Sequence, residues 1–147
     1  DLGTGSGILG LGCAKLGLSG VGLDIDPLAV ENALENKQIN GVDEAFVVAA
    51  GGIEVLAGET PPCEVGLGFD LVLANILAEP LVEFAPDIAG SLAPGGCLIL
   101  SGLLASQAET VIGAYKVLGF GAPEALERDG WVALIWRGGP DAGPTSA

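Results

Sequence analysis

The sequence contains no histidine, so both the commonest general base near neutral pH and the commonest metal ligand are missing. Basic residues are almost as scarce, with five Lys plus Arg against nineteen Asp plus Glu and a formal net charge of -14. Such a surface repels a phosphate backbone, which speaks against direct contact with nucleic acid and is compatible with a basic protein partner. Acidity of this kind also simply keeps a protein in solution. There are three cysteines, Cys13, Cys63 and Cys97, odd in number, widely spaced and without a CxxC pair, so neither a metal site nor a redox motif is indicated. Cys13 and Cys97 lie in apolar stretches and are expected to be core thiols. The longest apolar runs, such as Leu71 to Ala74 and Cys97 to Leu100, are strand-sized and far short of a membrane span.

At 147 residues the chain suits one domain, expected over 1–137. Residues 138–147 form a Gly/Pro/Ser/Thr tail without the means to bury a core, and are expected to be disordered. The first residues already belong to a motif, with no leader before them, so the chain is expected to be a fragment cut at its N-terminal edge.

The pattern alternates strands and helices. Ile8 to Leu18 reads as a helix stopped by Gly17 and Gly20, and Val21 to Leu23 as a strand ending in Asp24. Asp26 is a suitable N-cap with Pro27 at the first position of a helix over 28–39, which Asn40-Gly41 ends before a strand over 45–49. Residues 50 to 68 form a glycine-rich loop with one weak helical turn around Ile53 to Leu56. Phe69 to Ala74 has the continuous apolar character of a fully buried parallel strand. A helix over 78–92 closes at Ala93-Pro94-Gly95-Gly96, followed by a strand over 97–101, a helix over 105–118 and an antiparallel hairpin over 120–126 and 131–136. The expected fold is therefore α/β: a doubly wound, mostly parallel Rossmann-like sheet ending in an antiparallel hairpin, with its first strand missing or truncated.

Asp1-Leu2-Gly3-Thr4-Gly5-Ser6-Gly7 fits the pattern acid-x-Gly-x-Gly-x-Gly, in which glycines let the backbone approach a bulky ligand. Gly5 to Gly10 also fits the GxGxxG dinucleotide fingerprint, so an NAD-binding oxidoreductase is the competing reading. The dinucleotide fingerprint starts its glycines directly after the first strand, whereas here Asp1 leads a Gly-x-Gly-x-Gly turn, which favours S-adenosylmethionine. Asp24 is the candidate acceptor for both ribose hydroxyls, its alternative role as a helix-start acid being better filled by Asp26. Asn75 follows a strand at the carboxyl end of the sheet, where its amide could hold the cofactor, orient an incoming amine or simply cap a helix. Glu79 reads as a solvated acid at a helix start.

Asp1 to Gly7, Val21 to Pro27, Asn75-Ile76-Leu77-Ala78, Ser101-Gly102-Leu103-Leu104 and Gly130-Trp131 occur in order, and over residues 1 to about 137 the chain resembles the PrmA family of ribosomal protein L11 methyltransferases. The glycine motif is common to many methyltransferases, while Asn-Ile-Leu-Ala with Ser-Gly-Leu-Leu is much more specific. The resemblance implies a class I fold and methylation of lysine side-chain and N-terminal amino groups of a ribosomal protein in the cytoplasm, with S-adenosylmethionine as donor. A small-molecule methyltransferase is the alternative within that fold. The same resemblance implies cofactor contacts at Gly3, Asp24 and Asn75; the glycine motif adds Asp1, Gly5 and Gly7 as expected contacts, Asn75 is the catalytic candidate, and no metal is expected. Related amine and amide methyltransferases carry Asn-Pro-Pro-Tyr where this chain has Asn75-Ile76-Leu77-Ala78, so their flat amide slot is not expected. Substrate recognition is expected from an N-terminal domain that these residues do not include. Without a first strand between those at Val21 and Phe69, the 147-residue chain is expected to be unstable and inactive by itself.

Overall fold

The computed structural model describes residues 1–42, 44–58, 61–63 and 68–140. Its contacts divide the chain into two units, Asp1–Val65 and Gly66–Ala147.

In the first unit Leu2 makes one parallel bridge to Leu23 before the glycine-rich turn leads into α1 (Ile8–Lys15). There follow β1 (Gly20–Asp24), α2 (Pro27–Asn40) and β2 (Phe46–Ala50), a strand-helix-strand crossover whose strands pair in parallel from Gly20↔Phe46 to Asp24↔Ala50. α2 starts as the sequence predicts: the Asp26 carboxylate accepts the Leu28 N–H at 2.9 Å, and Pro27 occupies a first-turn position where its missing N–H leaves nothing orphaned. α1 is shorter than expected. Gly17 N–H turns back to the Ala14 carbonyl and Leu18 N–H to the Cys13 carbonyl, a left-handed termination that ends the helix at Lys15. Leu11, Val42 and Phe46 form the buried cluster, flanked by Ala14 and Val48. The weak turn expected near Ile53 is a 3-10 turn, Ile53–Ala57.

The second unit contains β3 (Phe69–Asn75), α3 (Ala78–Glu83), α4 (Ala85–Gly90), β4 (Leu92–Leu104), α5 (Ala108–Val117), β5 (Glu124–Arg128) and β6 (Trp131–Arg137). Its sheet runs β3-β4-β6-β5, with β3 parallel to β4 and the two remaining pairings antiparallel. The α/β class, the parallel pairings and the closing hairpin are thus as the sequence predicts.

Several boundaries differ for local reasons. The helix expected over 78–92 is broken at Phe84, because Pro86 has no N–H for the Val82 carbonyl and cannot continue the ladder. Ala93-Pro94-Gly95-Gly96 is not a loop outside the sheet. β4 runs through it, and the register passes from Phe69↔Leu92 to Leu71↔Cys97, so the extra residues bulge outward with Pro94 and Gly95 exposed. The helix expected from Ala105 begins with a 3-10 turn, Ala105–Gln107, where the Gln107 side chain accepts the Leu104 N–H at 2.9 Å. The hairpin's first strand starts at Glu124 rather than Phe120, since Pro123 cannot donate to a ladder and Phe120 turns into the core. Its turn is the two residues Asp129 and Gly130, with φ of 52° and 80°, the twist-matched type I′ conformation.

β3 is not fully buried. It is an edge strand of its sheet, and only Val72 and Ala74 are shielded while Leu71 and Leu73 stay half-exposed. Cys13 and Cys97 are not core thiols either. All three cysteines are free and half-buried, Cys97 lying across from the exposed Arg137. The core here is Leu81, Ile88, Leu98, Leu100, Leu103, Val111 and Leu134 around an aromatic trio. Tyr115 stacks on Trp136 at 5.3 Å and meets Phe120 edge-on at 5.6 Å. Its hydroxyl donates to the Leu81 carbonyl, and burial holds its pKa well above the ordinary value. The tail expected to be disordered lies outside the described residues from 141 onward, whereas Gly138 donates to the Gly96 carbonyl at 3.0 Å. Among the described residues no helix is long and apolar enough to cross a membrane.

Phe46 packs against a glycine in α1 and another in β1. A Cβ on Gly10 would overlap its ring, and one on Gly22 would lie 2.5 Å from its Cζ and 2.7 Å from Thr4 Oγ1. Gly22→Ala is expected to destabilise the protein by about 1–3 kcal/mol through overpacking. Urea melts should show a smaller loss when the substitution is made in a Phe46→Leu background; equal losses in both backgrounds would mean that the ring is not what excludes a side chain.

Candidate functional site

The end of β1 organises the first unit's candidate site. The Leu23 carbonyl accepts from both Gly3 N–H, at 2.8 Å, and Thr4 N–H, at 2.9 Å, while Leu23 N–H donates to the Asp1 carbonyl at 2.9 Å. These main-chain bonds fasten the start of the glycine turn to the strand. Gly3, Gly5 and Gly7 have φ of 69°, 56° and 84°, left-handed values that other L-residues reach only with strain. A Cβ on Gly5 would meet nothing within 4 Å, so at that point the turn faces open space.

Asp24 is half-buried, and both of its carboxylate oxygens already hold main-chain groups. Oδ2 accepts Gly5 N–H at 2.8 Å and Oδ1 accepts Asp26 N–H at 2.9 Å. Its own carbonyl accepts Gly51 N–H at 2.8 Å. Each carboxylate oxygen has a second lone pair, so the group can still accept two hydroxyls while holding the loop. The arrangement suits a vicinal diol presented beside a glycine turn, and so fits the adenosyl ligand expected from the sequence.

The other predicted residues divide into those that face outward and those that shape the loop from within. Asp1 belongs to the second group. Its Oδ2 accepts the Thr4 hydroxyl at 2.7 Å and Gly10 N–H at 3.0 Å, and Oδ1 is buried without a hydrogen-bond partner among the described residues. Gly7 N–H donates to the Thr4 carbonyl at 2.8 Å, so Thr4 links Asp1 to the start of α1. Thr4, only 5% exposed, was not singled out in the sequence, although a hydroxyl between two glycines and three residues from an acid was a usable signal.

Asn75 lies in the second unit, at the carboxyl end of β3, exposed and in register with Ser101 of β4. It does not cap α3; the N-cap position belongs to Leu77. Its neighbour across the strands is therefore the Ser101-Gly102 pair, which the sequence singled out only as part of a motif. Glu79 is exposed in the first turn of α3, as a solvated acid should be.

The model of the ribosomal protein L11 methyltransferase (PrmA) family matches residues 1–138. A ribosomal protein L11 methyltransferase of Brucella suis is 45% identical over 138 residues, covering 91% of this chain and 46% of that protein. The protein of that name from Syntrophotalea carbinolica is 43% identical over 137 residues, covering 92% of this chain and 42% of its own. The chain thus spans less than half the length of these curated relatives. Among solved structures, the ribosomal protein L11 methylase of Lactobacillus delbrueckii subsp. bulgaricus has a TM-score of 0.75 at 31% identity, covering 94% of this chain and 68% of that one. An RNA methyltransferase of Salinibacter ruber, solved with S-adenosyl-L-homocysteine, has a TM-score of 0.69 at 21% identity, covering 99% and 82%, and shows likeness of fold alone.

If the Asp24 carboxylate is what holds the glycine turn to the loop after β1, Asp24→Ala should free both amides. Hydrogen exchange at Gly5 and Asp26 is expected to accelerate about tenfold, the equivalent of roughly one charge-assisted hydrogen bond. Unchanged protection at both amides would show that the main-chain bonds to Leu23 suffice.

Proposed function

Because the chain belongs to the ribosomal protein L11 methyltransferase (PrmA) family, we propose that it forms the catalytic part of an S-adenosylmethionine-dependent methyltransferase acting on lysine side-chain and N-terminal amino groups of that ribosomal protein. The observation that carries this reading is the junction of the glycine turn with the ribose-type acid, Gly5 N–H on Asp24 Oδ2 at 2.8 Å. In this reading residues 1–137 serve as one catalytic domain, the substrate is a basic protein in the cytoplasm, and nucleic acid is not contacted directly. The net charge of -14 supports the choice of a basic protein partner.

Asp24 would hold the two ribose hydroxyls, with Gly3, Gly5 and Gly7 giving the ligand access to main chain and Asp1 and Thr4 keeping that loop in shape. When bound, S-adenosylmethionine supplies a methyl group on a positively charged sulfonium, already activated for displacement. The protein's own task is alignment and exclusion of water, and positioning of this kind is worth about 7–11 kcal/mol. Asn75 is assigned to cofactor contact and to orienting the acceptor amine: its amide oxygen accepts an amine N–H, which leaves the nitrogen lone pair directed away from Asn75. An amine that arrives neutral needs no dedicated base, in keeping with a chain that has no histidine.

Calorimetric titration of the full-length gene product is expected to show micromolar binding of S-adenosylmethionine and none of NAD. Asp24→Ala should weaken that binding about tenfold or more, roughly 1.4 kcal/mol. Binding of NAD in its place would return the oxidoreductase reading. Mass spectrometry of ribosomal protein L11 incubated with the same enzyme should show added methyl groups, and Asn75→Ala should lower turnover about a hundredfold. Turnover unaffected by that substitution would remove Asn75 from the reaction.

A further inference from the structure

The Ser101-Gly102 pair of β4 has no role in the scheme above, yet the sheet is distorted where it stands. β4 and β6 pair at Leu100↔Leu134 and again at Leu103↔Val132, three residues along one strand against two along the other. One extra residue is therefore accommodated at Ser101-Gly102, a bulge of the kind that re-aims neighbouring side chains. On its other edge β4 keeps regular parallel register with β3 through Asn75↔Ser101. The irregularity is thus placed beside the residue assigned to the amine.

Gly102 adopts φ of 77°, and a Cβ built on it would overlap Oδ1 of Asn75. The same Cβ would lie at van der Waals distance from the Ile76 carbonyl oxygen, 3.4 Å, and from Asn75 Cγ, 3.5 Å, so the crowding falls on the amide oxygen, which would have to turn away. We propose that Gly102 is a positioning residue for Asn75: its bare Cα, set at the bulge of β4, is the surface on which the Asn75 amide rests. Any side chain at 102 would drive the amide from that place. This rests on the reading of Asn75 as the amine-orienting group. It gives a physical reason for a Ser-Gly pair within the fourth strand in company with Asn-Ile-Leu-Ala at the end of the third. Ser101 fills the ladder position opposite Asn75, and Gly102 leaves space for its side chain.

A substitution at Gly102 brings backbone strain as well as crowding, and the chain has a control for the first. Gly95 lies in the same strand with φ of 80°, and a Cβ there would meet nothing within 4 Å. In the full-length enzyme, Gly102→Ala is expected to lower kcat for the ribosomal protein by about tenfold or more. Gly95→Ala, by contrast, should leave kcat unchanged. In an Asn75→Ala background Gly102→Ala should cost no further activity, since its effect is exerted through that amide. Equal effects at 95 and 102, or a full additional loss without Asn75, would overturn the proposal. The side-chain amide resonances of Asn75 provide a readout that does not depend on turnover: they should shift in Gly102→Ala and stay in place in Gly95→Ala. Shifted resonances with turnover insensitive to Asn75→Ala would retain the contact and overturn the role given to Asn75. Unshifted resonances would overturn the contact itself.

Discussion

Two hydrogen-bond acceptors at the end of β1, the carbonyl of Leu23 and the carboxylate of Asp24, hold the first unit's candidate site together. The carbonyl takes two N–H groups from the glycine turn, and the carboxylate takes one from that turn and one from the start of the next helix. A carboxylate accepting main-chain N–H groups forms bonds stronger than neutral ones, and it does so here without exhausting its lone pairs. Asp24 can therefore organise the loop and remain competent toward hydroxyls. Position matters as much as charge: Asp26, two residues on, uses its carboxylate to cap α2.

The turn itself is shaped from inside by polar groups that face away from open space. Asp1, Thr4 and the N–H of Gly10 form a small network under the glycines, and Gly10 and Gly22 admit the Phe46 ring next to it. Close packing of backbone against an aromatic ring leaves the loop little freedom to adjust, which suits a site whose contribution is alignment. A rigid cradle offers geometry that a flexible glycine run could not.

In the second unit the corresponding device is a strand irregularity. Bulges are tolerated near strand ends because they sacrifice few ladder bonds, and they redirect the side chains beside them. The bulge at Ser101-Gly102 follows a stretch of β4 whose inward residues, Leu98 and Leu100, are completely buried, and Leu103 beyond it is buried as well. The distortion is anchored on both sides by core packing, so the position of Gly102 is set by the sheet rather than by its own local preference.

Much of this was legible in the amino-acid sequence because it rests on local chemistry. Asp26-Pro27 starts a helix, Asn40-Gly41 ends it, Glu127 to Gly130 holds the turn of a hairpin, and acid-x-Gly-x-Gly-x-Gly marks a candidate ligand-facing turn; each acts over a few residues. The family resemblance and the candidates Asp24 and Asn75 likewise follow from short motifs in order. Other features depended on partners distant in the chain. Phe69 to Ala74 looked fully buried, yet at the sheet edge Phe69, Leu71 and Leu73 are only half-buried and Asp70 is exposed. Pro94-Gly95 looked like a loop, but pairing with β3 carries the strand through it. The tight approach of Gly102 to Asn75 joins residues that only strand pairing brings side by side. Propensity, capping and turn chemistry are determined by neighbours along the chain, and the sequence by itself decides them. Burial, register and close approach are determined by neighbours in space, and only the tertiary structure decides those.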